Sequence, residues 1–101
     1  MAIPQHLAST HRMLVAAFPD GVTGEDYLGT IALLYDYMSN RCLAEAMALA
    51  LGDFGVSYHT VYNDIGRAVP AAAVSAVVLA RVRARLTAAG YEDWIHESDV
   101  A

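Results

Sequence analysis

The sequence predicts an all-α protein, a single compact bundle of about five helices. Three observations lead to this fold class. The chain has 101 residues, of which 56% are apolar, which is enough for one hydrophobic core but not for two. Nineteen residues are Ala, whereas only seven are Gly and three are Pro, a composition that favours helix. Apolar residues also recur at spacings of three and four, the period of an amphipathic helix.

The first two helices are predicted at residues 4–18 and 24–38. Pro4 suits the first helical position, because its missing N–H would have no intrahelical partner there. The turn residues Pro19–Gly21 end the first helix. Gly29 is unfavourable inside the second helix and indicates a close contact with another helix. The predicted inner face of the first helix consists of Leu7, His11, Leu14, Val15 and Phe18.

Three further helices follow, each with a polar or flexible residue at one end. They are predicted at residues 40–52, 58–67 and 71–89. Ser39 and Ser57 are good N-caps for the first two, and Gly90 suits the C-terminal end of the last. The last helix should bury Val74, Val78, Val82 and Leu86. Residues 91–101 are mostly polar and acidic, so we expect this tail to fray or to pack loosely.

Several short segments, in this order and at this spacing, carry a family resemblance. They are Phe18–Val22, Ala32–Leu34, Leu51–Phe54, Arg81–Leu86 and Ala89–Gly90. The chain thereby resembles the actinobacterial family of small helical proteins called domain of unknown function 3349. The resemblance implies a five-helix bundle and supplies no catalytic residue, cofactor or substrate. The family tends to have Gly-Trp-Pro after its last helix, whereas this chain has Gly90-Tyr91-Glu92.

Charge and cysteine content exclude several classes of protein. Six basic residues, all Arg, against eleven acidic residues give a net charge of −5, which repels nucleic-acid phosphates and anionic membranes. No apolar run approaches the roughly 20 residues of a membrane span. Residues 1–6 lack the cationic start and apolar run of a signal peptide, so we expect a cytoplasmic protein. A single cysteine, Cys42, excludes an internal disulfide framework.

The sequence contains no recognisable catalytic or metal-binding pattern. His6 and His11 diverge on a helix, and His59 and His96 have no Cys or His at ligand spacing, so we predict no metal site. Phosphate-binding loops, dinucleotide fingerprints and Ser/His/Asp arrangements are absent from the sequence. We therefore predict a non-enzymatic protein without a cofactor. Binding of a small molecule would require a sizeable apolar pocket.

The fifth predicted helix carries a local cationic strip. Between Asp64 and Glu92 the chain has four Arg and no acidic residue. Arg81 and Arg85 are four residues apart and share a face, whereas Arg83 points away from both. One interpretation is a contact site for an unknown protein partner, which requires Arg81 and Arg85 to be exposed and unpaired. The other is intramolecular pairing with the acidic tail, through Glu92, Asp93, Glu97 or Asp99.

Residues 55–67 resemble the turn and recognition helix of a helix-turn-helix motif. Gly55 allows a tight turn and Ser57 caps the second helix. The candidate DNA-contact residues are Ser57, Tyr58, Thr60, Asn63 and Arg67. Few cations are available to neutralise phosphates, which argues against nucleic acid. The first hypothesis is therefore a protein-interaction module, as a monomer or weak homo-oligomer, and the alternative is a DNA-binding protein.

Overall fold

The chain folds as a series of α-helices connected by short turns. The computed structural model describes residues 5–22, 24–68 and 74–98, and within them it contains six α-helices and no strand. The helices are α1 (Ala8–Ala17), α2 (Gly24–Leu34), α3 (Asn40–Leu51), α4 (Tyr58–Ala68), α5 (Ala76–Ala88) and α6 (Tyr91–Ser98). Single turns of 3₁₀ helix lie at Gln5–Leu7, Tyr35–Tyr37 and Gly52–Phe54. The predicted all-α fold is confirmed.

The helices pack in two close pairs that α1 joins. Helix α2 lies against α5, α3 lies against α4, and α1 contacts α3, α5 and α6. The resulting body measures 34 × 27 × 25 Å. Its core includes the fully buried side chains Leu14, Phe18, Ile31, Leu34, Leu43, Met47, Leu51, Val61, Ile65, Val82 and Leu86.

The predicted N-caps Ser39 and Ser57 and the glycine after the fifth helix are confirmed, whereas the second helix, predicted to reach residue 38, ends at Leu34 and is followed by a 3₁₀ turn. The Cys42 amide donates to the Ser39 hydroxyl oxygen at 3.2 Å, at the start of α3. The Thr60 amide donates to the Ser57 hydroxyl oxygen at 3.3 Å, at the start of α4. Gly90 follows α5 with φ of +98°, a left-handed conformation that favours glycine.

The fifth helix starts later than the predicted residue 71. Val74 and Ser75 are not helical, and α5 begins at Ala76. The Val78 amide donates to the Ser75 hydroxyl oxygen at 3.3 Å, so Ser75 is the N-cap. A serine satisfies one of the free amides of the first turn, which the alanines before it cannot do. Residues 69–73, like Pro4, lie outside the described part of the chain.

The expectation of a frayed tail over residues 91–101 is wrong for its described part. Tyr91 and Trp94 of α6 are only 5% and 3% exposed. The Trp94 indole N–H donates to the Thr10 hydroxyl oxygen at 2.7 Å, and the Tyr91 hydroxyl donates to the Leu33 carbonyl oxygen at 3.2 Å. The tail folds back because two aromatic rings three residues apart share one helix face and cover the ends of α1 and α2.

The inner face of α1 differs from the predicted one, since one predicted residue is exposed and three other residues are buried. Val15 is 42% exposed, whereas Met13, Ala17 and Thr10 are buried. Thr10 is polar, and a pattern of apolar residues alone does not place it inside. Its burial is possible because its hydroxyl receives the Trp94 hydrogen bond.

Gly29 marks a close contact between α2 and α5, as predicted. A Cβ atom built at this position would lie 3.1 Å from Cγ2 of Val82 and 3.3 Å from Cγ1 of Val78. These distances are tighter than ordinary van der Waals contact. The missing side chain therefore allows the two helices to approach each other.

Candidate functional site

Two of the three candidate arginines of α5 are exposed but paired. The Arg81 Nε atom donates to Oδ1 of Asp26 at 3.0 Å, and a terminal nitrogen of Arg81 bonds to the same oxygen. Arg85 Nη1 lies 4.0 Å from the other Asp26 oxygen. The expectation that Arg81 and Arg85 are unpaired is therefore wrong. The structure places their acidic partner on α2, because the packing of α5 against α2 brings Asp26 next to them.

These pairs also have electrostatic consequences. The hydrogen bond and the charge of Asp26 raise the pKa of Arg81. The Arg85 guanidinium carbon lies 5.0 Å from the centre of the Phe18 ring, which adds a cation–π contact. Arg81 and Arg85 are therefore held in position along one edge of α5.

Arg83 lies on the opposite edge of α5 and is exposed. It forms no ion pair with any residue that the structure describes. Between the two edges the surface consists of small side chains, Ala80 and Ala84, together with Val77, which is 74% exposed. We call the surface formed by Val77, Ala80, Arg81, Arg83 and Ala84 the cationic face.

The outer side of α4 is open to solvent. Thr60, Asn63 and Arg67 are exposed, and Tyr62 is 43% exposed. Only Val61, Asp64 and Ile65 are buried among the described side chains of this helix, while Tyr58 is half-buried. The hydroxyl of Ser57 serves the helix cap and donates to the Thr60 hydroxyl oxygen at 2.9 Å. Of the candidate DNA-contact residues, four are therefore exposed, whereas Tyr58 is half-buried and lies on a different side of the helix from Asn63 and Arg67.

A cluster of three polar side chains joins α4 to α2. The Tyr27 hydroxyl donates to Oδ2 of Asp64 at 2.7 Å, and the Arg67 guanidinium bonds to the other carboxylate oxygen. Burial alone would raise the pKa of Asp64, but the hydrogen bonds from Tyr27 and Arg67 lower it. Burial, followed by the hydrogen bond to Asp64, raises the pKa of Tyr27. Asp64 thus bonds to a tyrosine of α2 and to an arginine of its own helix, and the Arg67 side chain stays 80% exposed.

Replacing Tyr27 by Phe should lower the free energy of unfolding by about 1.5–3 kcal/mol at pH 7, because a hydrogen bond to a buried carboxylate is lost. The pKa of Asp64 is lower in the folded state than in the unfolded state, where it is about 3.9. The bonded carboxylate therefore stabilises the native state fully above this pH, and the stabilisation disappears as the pH falls through the folded-state pKa. The difference in free energy of unfolding between Tyr27→Phe and the wild type should therefore become smaller at acidic pH. Urea titrations between pH 2 and pH 7 measure it.

Tyr35→Phe is the matched control for this substitution. Tyr35 is half-buried, and its hydroxyl has no hydrogen-bond partner among the described residues. The control should change stability by less than about 0.5 kcal/mol. Equal losses in the two variants would contradict a special role of the Tyr27–Asp64 bond.

A cleft of about 280 Å³ lies between α1 and α6. Polar and charged groups contribute much of its wall, including Ser9, Arg12 and Asp93. A second cleft, between α2 and the residues before α5, measures only about 60 Å³. Neither cleft is the sizeable apolar pocket that the small-molecule hypothesis requires.

Neither a metal-binding cluster nor a membrane-spanning helix occurs in the part of the chain that the structure describes. Across residues 5–22, 24–68 and 74–98, no three His, Cys, Asp or Glu side chains are grouped so that they could hold a metal ion. In the same ranges, no helix has both the length and the apolar character needed to cross a bilayer. The single cysteine, Cys42, is half-buried and packs against the core.

The fold and these surfaces define a small all-α bundle with two open helix faces, one on α4 and one on α5. No protein-family model matches the chain, and neither a curated protein nor a solved structure matches it significantly. The resemblance to domain of unknown function 3349 therefore stays a prediction that rests on the motifs.

Proposed function

We propose that this chain is a cytoplasmic, non-enzymatic protein-interaction module that binds an acidic amphipathic helix of a partner protein through its cationic face. The observation that carries this proposal is the exposure of Val77, at 74%, on a surface bordered by Arg81 and Arg83. An exposed branched apolar residue next to cations favours a partner with apolar and acidic groups on one side.

The shape of the cationic face supports a helical partner. Ala80 and Ala84 follow Val77 at spacings of three and four, so small side chains form a continuous stripe along α5. Such a stripe lets a second helix approach closely, as Gly29 does within the bundle. Arg83 can then bind a carboxylate of the partner on one side, and Arg81 can add a contact on the other side through the N–H donors that Asp26 leaves unused.

The charges of the face also favour an acidic partner. Arg83 has no ion-pair partner among the described residues, so its guanidinium can pair with a carboxylate of the partner. Asp26 holds Arg81 in place, which reduces the conformational entropy that Arg81 would lose on binding. Arg81 also retains unused N–H donors, because a guanidinium has five.

The binding test uses a synthetic alanine-based helical peptide with Leu along one side and Glu on both flanks. It should shift backbone NMR signals of α5, and Arg83→Glu should weaken binding at least about tenfold, a loss of about 1.4 kcal/mol. Val77→Asp should have a similar effect, because it places an acid in the contact. The same peptide with Lys in place of Glu should not bind.

Arg41→Glu provides the matched control, because it makes the same change in net charge at an exposed position of α3. Binding to this variant should stay close to the wild-type level. If Arg41→Glu and Arg83→Glu weaken binding equally, only the net charge matters and the proposed face is wrong. Shifts confined to helices other than α5 would also overturn it.

DNA binding through residues 55–67 is the second candidate function. It is favoured by the exposure of Thr60 and Asn63 on a capped helix. Against it, Arg67 is the only arginine of α4, so few cations are available to neutralise phosphates. A gel shift with duplex DNA that depends steeply on salt, and that Asn63→Ala abolishes, would support this candidate over the first.

We also propose that the chain belongs to the family it resembles. Three of the resembling segments meet at one end of the bundle, which supports the proposal. The ring of Phe54 packs against Gly21, where a Cβ atom would lie 2.7 Å from Cγ of the ring. Arg85 lies over Phe18 in the same region.

A further inference from the structure

The larger cleft of the molecule lies between α1 and α6. Its volume is about 280 Å³, the space of about nine water molecules at roughly 30 Å³ each. Ser9 and Arg12 line it from α1, and Asp93 lines it from the first turn of α6. Gly90 also lines it, and no described atom beyond its chain neighbours lies within 4 Å of the place where its Cβ would be. The cleft therefore has room for a small molecule, and none of its lining residues belongs to the cationic face.

The two walls of this cleft carry opposite charges. Arg12 belongs to α1, a helix without an acidic residue, whereas Asp93 belongs to α6. Both side chains are exposed, and neither forms an ion pair with a residue that the structure describes. The two charges therefore do not neutralise each other directly. One ligand in the cleft can accept hydrogen bonds from the Arg12 guanidinium and donate to the Asp93 carboxylate.

The rest of the cleft suits a ligand of this kind. Ser9 lies three residues before Arg12, so both side chains occupy the same side of α1. The Ser9 hydroxyl has no hydrogen-bond partner among the described residues, and it can donate to the same carboxylate as Arg12. Met13 and Trp94 are each 3% exposed and form an apolar floor. The cleft thus combines two opposite charges, a hydroxyl and a small apolar surface.

We propose that this cleft binds a small zwitterion of the free amino-acid class, whose carboxylate pairs with Arg12 and whose ammonium group pairs with Asp93. This site is a further function beside the helix-binding face of α5. Its ligand differs from the apolar small molecule considered for the sequence, because two charges recognise it. An aliphatic side chain on the ligand can contact the apolar floor.

The test titrates the full chain with L-leucine and follows the backbone amide NMR signals of Ser9, Arg12 and Gly90. These signals should shift with a dissociation constant on the order of 1 mM, as expected for a ligand of about nine non-hydrogen atoms at an open site. Two analogues each remove one charge, since leucinamide lacks the carboxylate and N-acetyl-leucine lacks the ammonium group. Each analogue should bind at least about tenfold more weakly than leucine, because a charge-assisted contact is lost.

Two neutral variants assign each charge of the ligand to its partner. In Arg12→Gln, leucine should bind no more tightly than leucinamide. In Asp93→Asn, leucine should bind no more tightly than N-acetyl-leucine. Arg41→Gln and Glu92→Gln are the matched controls, because they remove the same charges at exposed positions outside the cleft. Both controls should bind leucine close to the wild-type level.

Three results would overturn the proposal. Equal binding of leucine and either analogue to the wild type would show that the cleft does not recognise both charges. An unchanged preference for leucine in Arg12→Gln or in Asp93→Asn would place the ligand elsewhere. The absence of shifts at about 20 mM leucine, far above the expected dissociation constant, would show that the cleft does not bind it. Arg83→Glu should leave leucine binding intact, which separates this test from that of the α5 face.

Discussion

Replacing Trp94 by Ala is expected to lower the free energy of unfolding by about 3–5 kcal/mol, the usual loss for a large buried aromatic residue. Trp94 is 3% exposed, and its ring lies 5.8 Å from that of Tyr37 and 6.0 Å from that of Tyr91. Its removal leaves a cavity beneath α6 and frees the Thr10 hydroxyl. Because small domains are only marginally stable, this loss is a large part of the total. Urea denaturation measures it.

Glu92→Ala is the control, because Glu92 is exposed on the same helix. It should change stability by less than about 0.5 kcal/mol. Thr10→Val should cost about 1–3 kcal/mol, because it leaves the buried indole N–H without its acceptor. The double variant should lose less than the sum of the two single losses, since the two residues share one bond. If Trp94→Ala were as stable as the control, the tail would be loose, as the sequence pattern indicated.

Replacing Gly29 by Leu should separate α2 from α5 and lower the free energy of unfolding by at least about 1–3 kcal/mol. Even a single methyl group here would lie 3.1 Å from Val82. A leucine has three more carbon atoms and no space for them between the helices. The backbone must therefore shift, which also disturbs the Arg81–Asp26 pair that joins the same two helices. Thermal and urea unfolding measure the loss.

Gly66→Ala is the matched control, because it also replaces a glycine inside a helix. No described atom outside the helix lies within 4 Å of the new methyl group. This variant should gain up to about 1 kcal/mol, since alanine favours helix over glycine. This expectation would be contradicted if Gly66→Ala lowered the free energy of unfolding and Gly29→Leu left it unchanged. That result would show that the close contact at Gly29 does not affect stability.

The sequence predicted the helices well because their signals are local. Ser39 and Ser57 each precede a helix and bond to its third residue, which requires no knowledge of distant residues. Val78, Val82 and Leu86 repeat at a spacing of four and are buried as expected. The start of α5 was predicted too early because an alanine-rich segment precedes Ser75, and composition does not show which residue caps a helix.

The polar contacts of the candidate sites depend on residues far apart in the chain. Arg81 and Asp26 are 55 positions apart, and Tyr27 and Asp64 are 37 positions apart. Helical spacing shows which face each residue occupies, but not which other helix that face meets. The acidic tail was therefore a reasonable partner for the arginines in the sequence, whereas α2 is the partner in the structure.

By itself, the sequence determined the all-α class, the existence and order of five helices, and the presence of one arginine-rich helix in an acidic chain. These features follow from composition, capping and helical period, which act within a few residues. Only the tertiary structure decided that α6 docks through Trp94, that Asp26 pairs with Arg81, and that Arg83 and Tyr62 are exposed. Such contacts depend on which helices pack together, because that packing decides whether an acidic residue lies beside a given arginine.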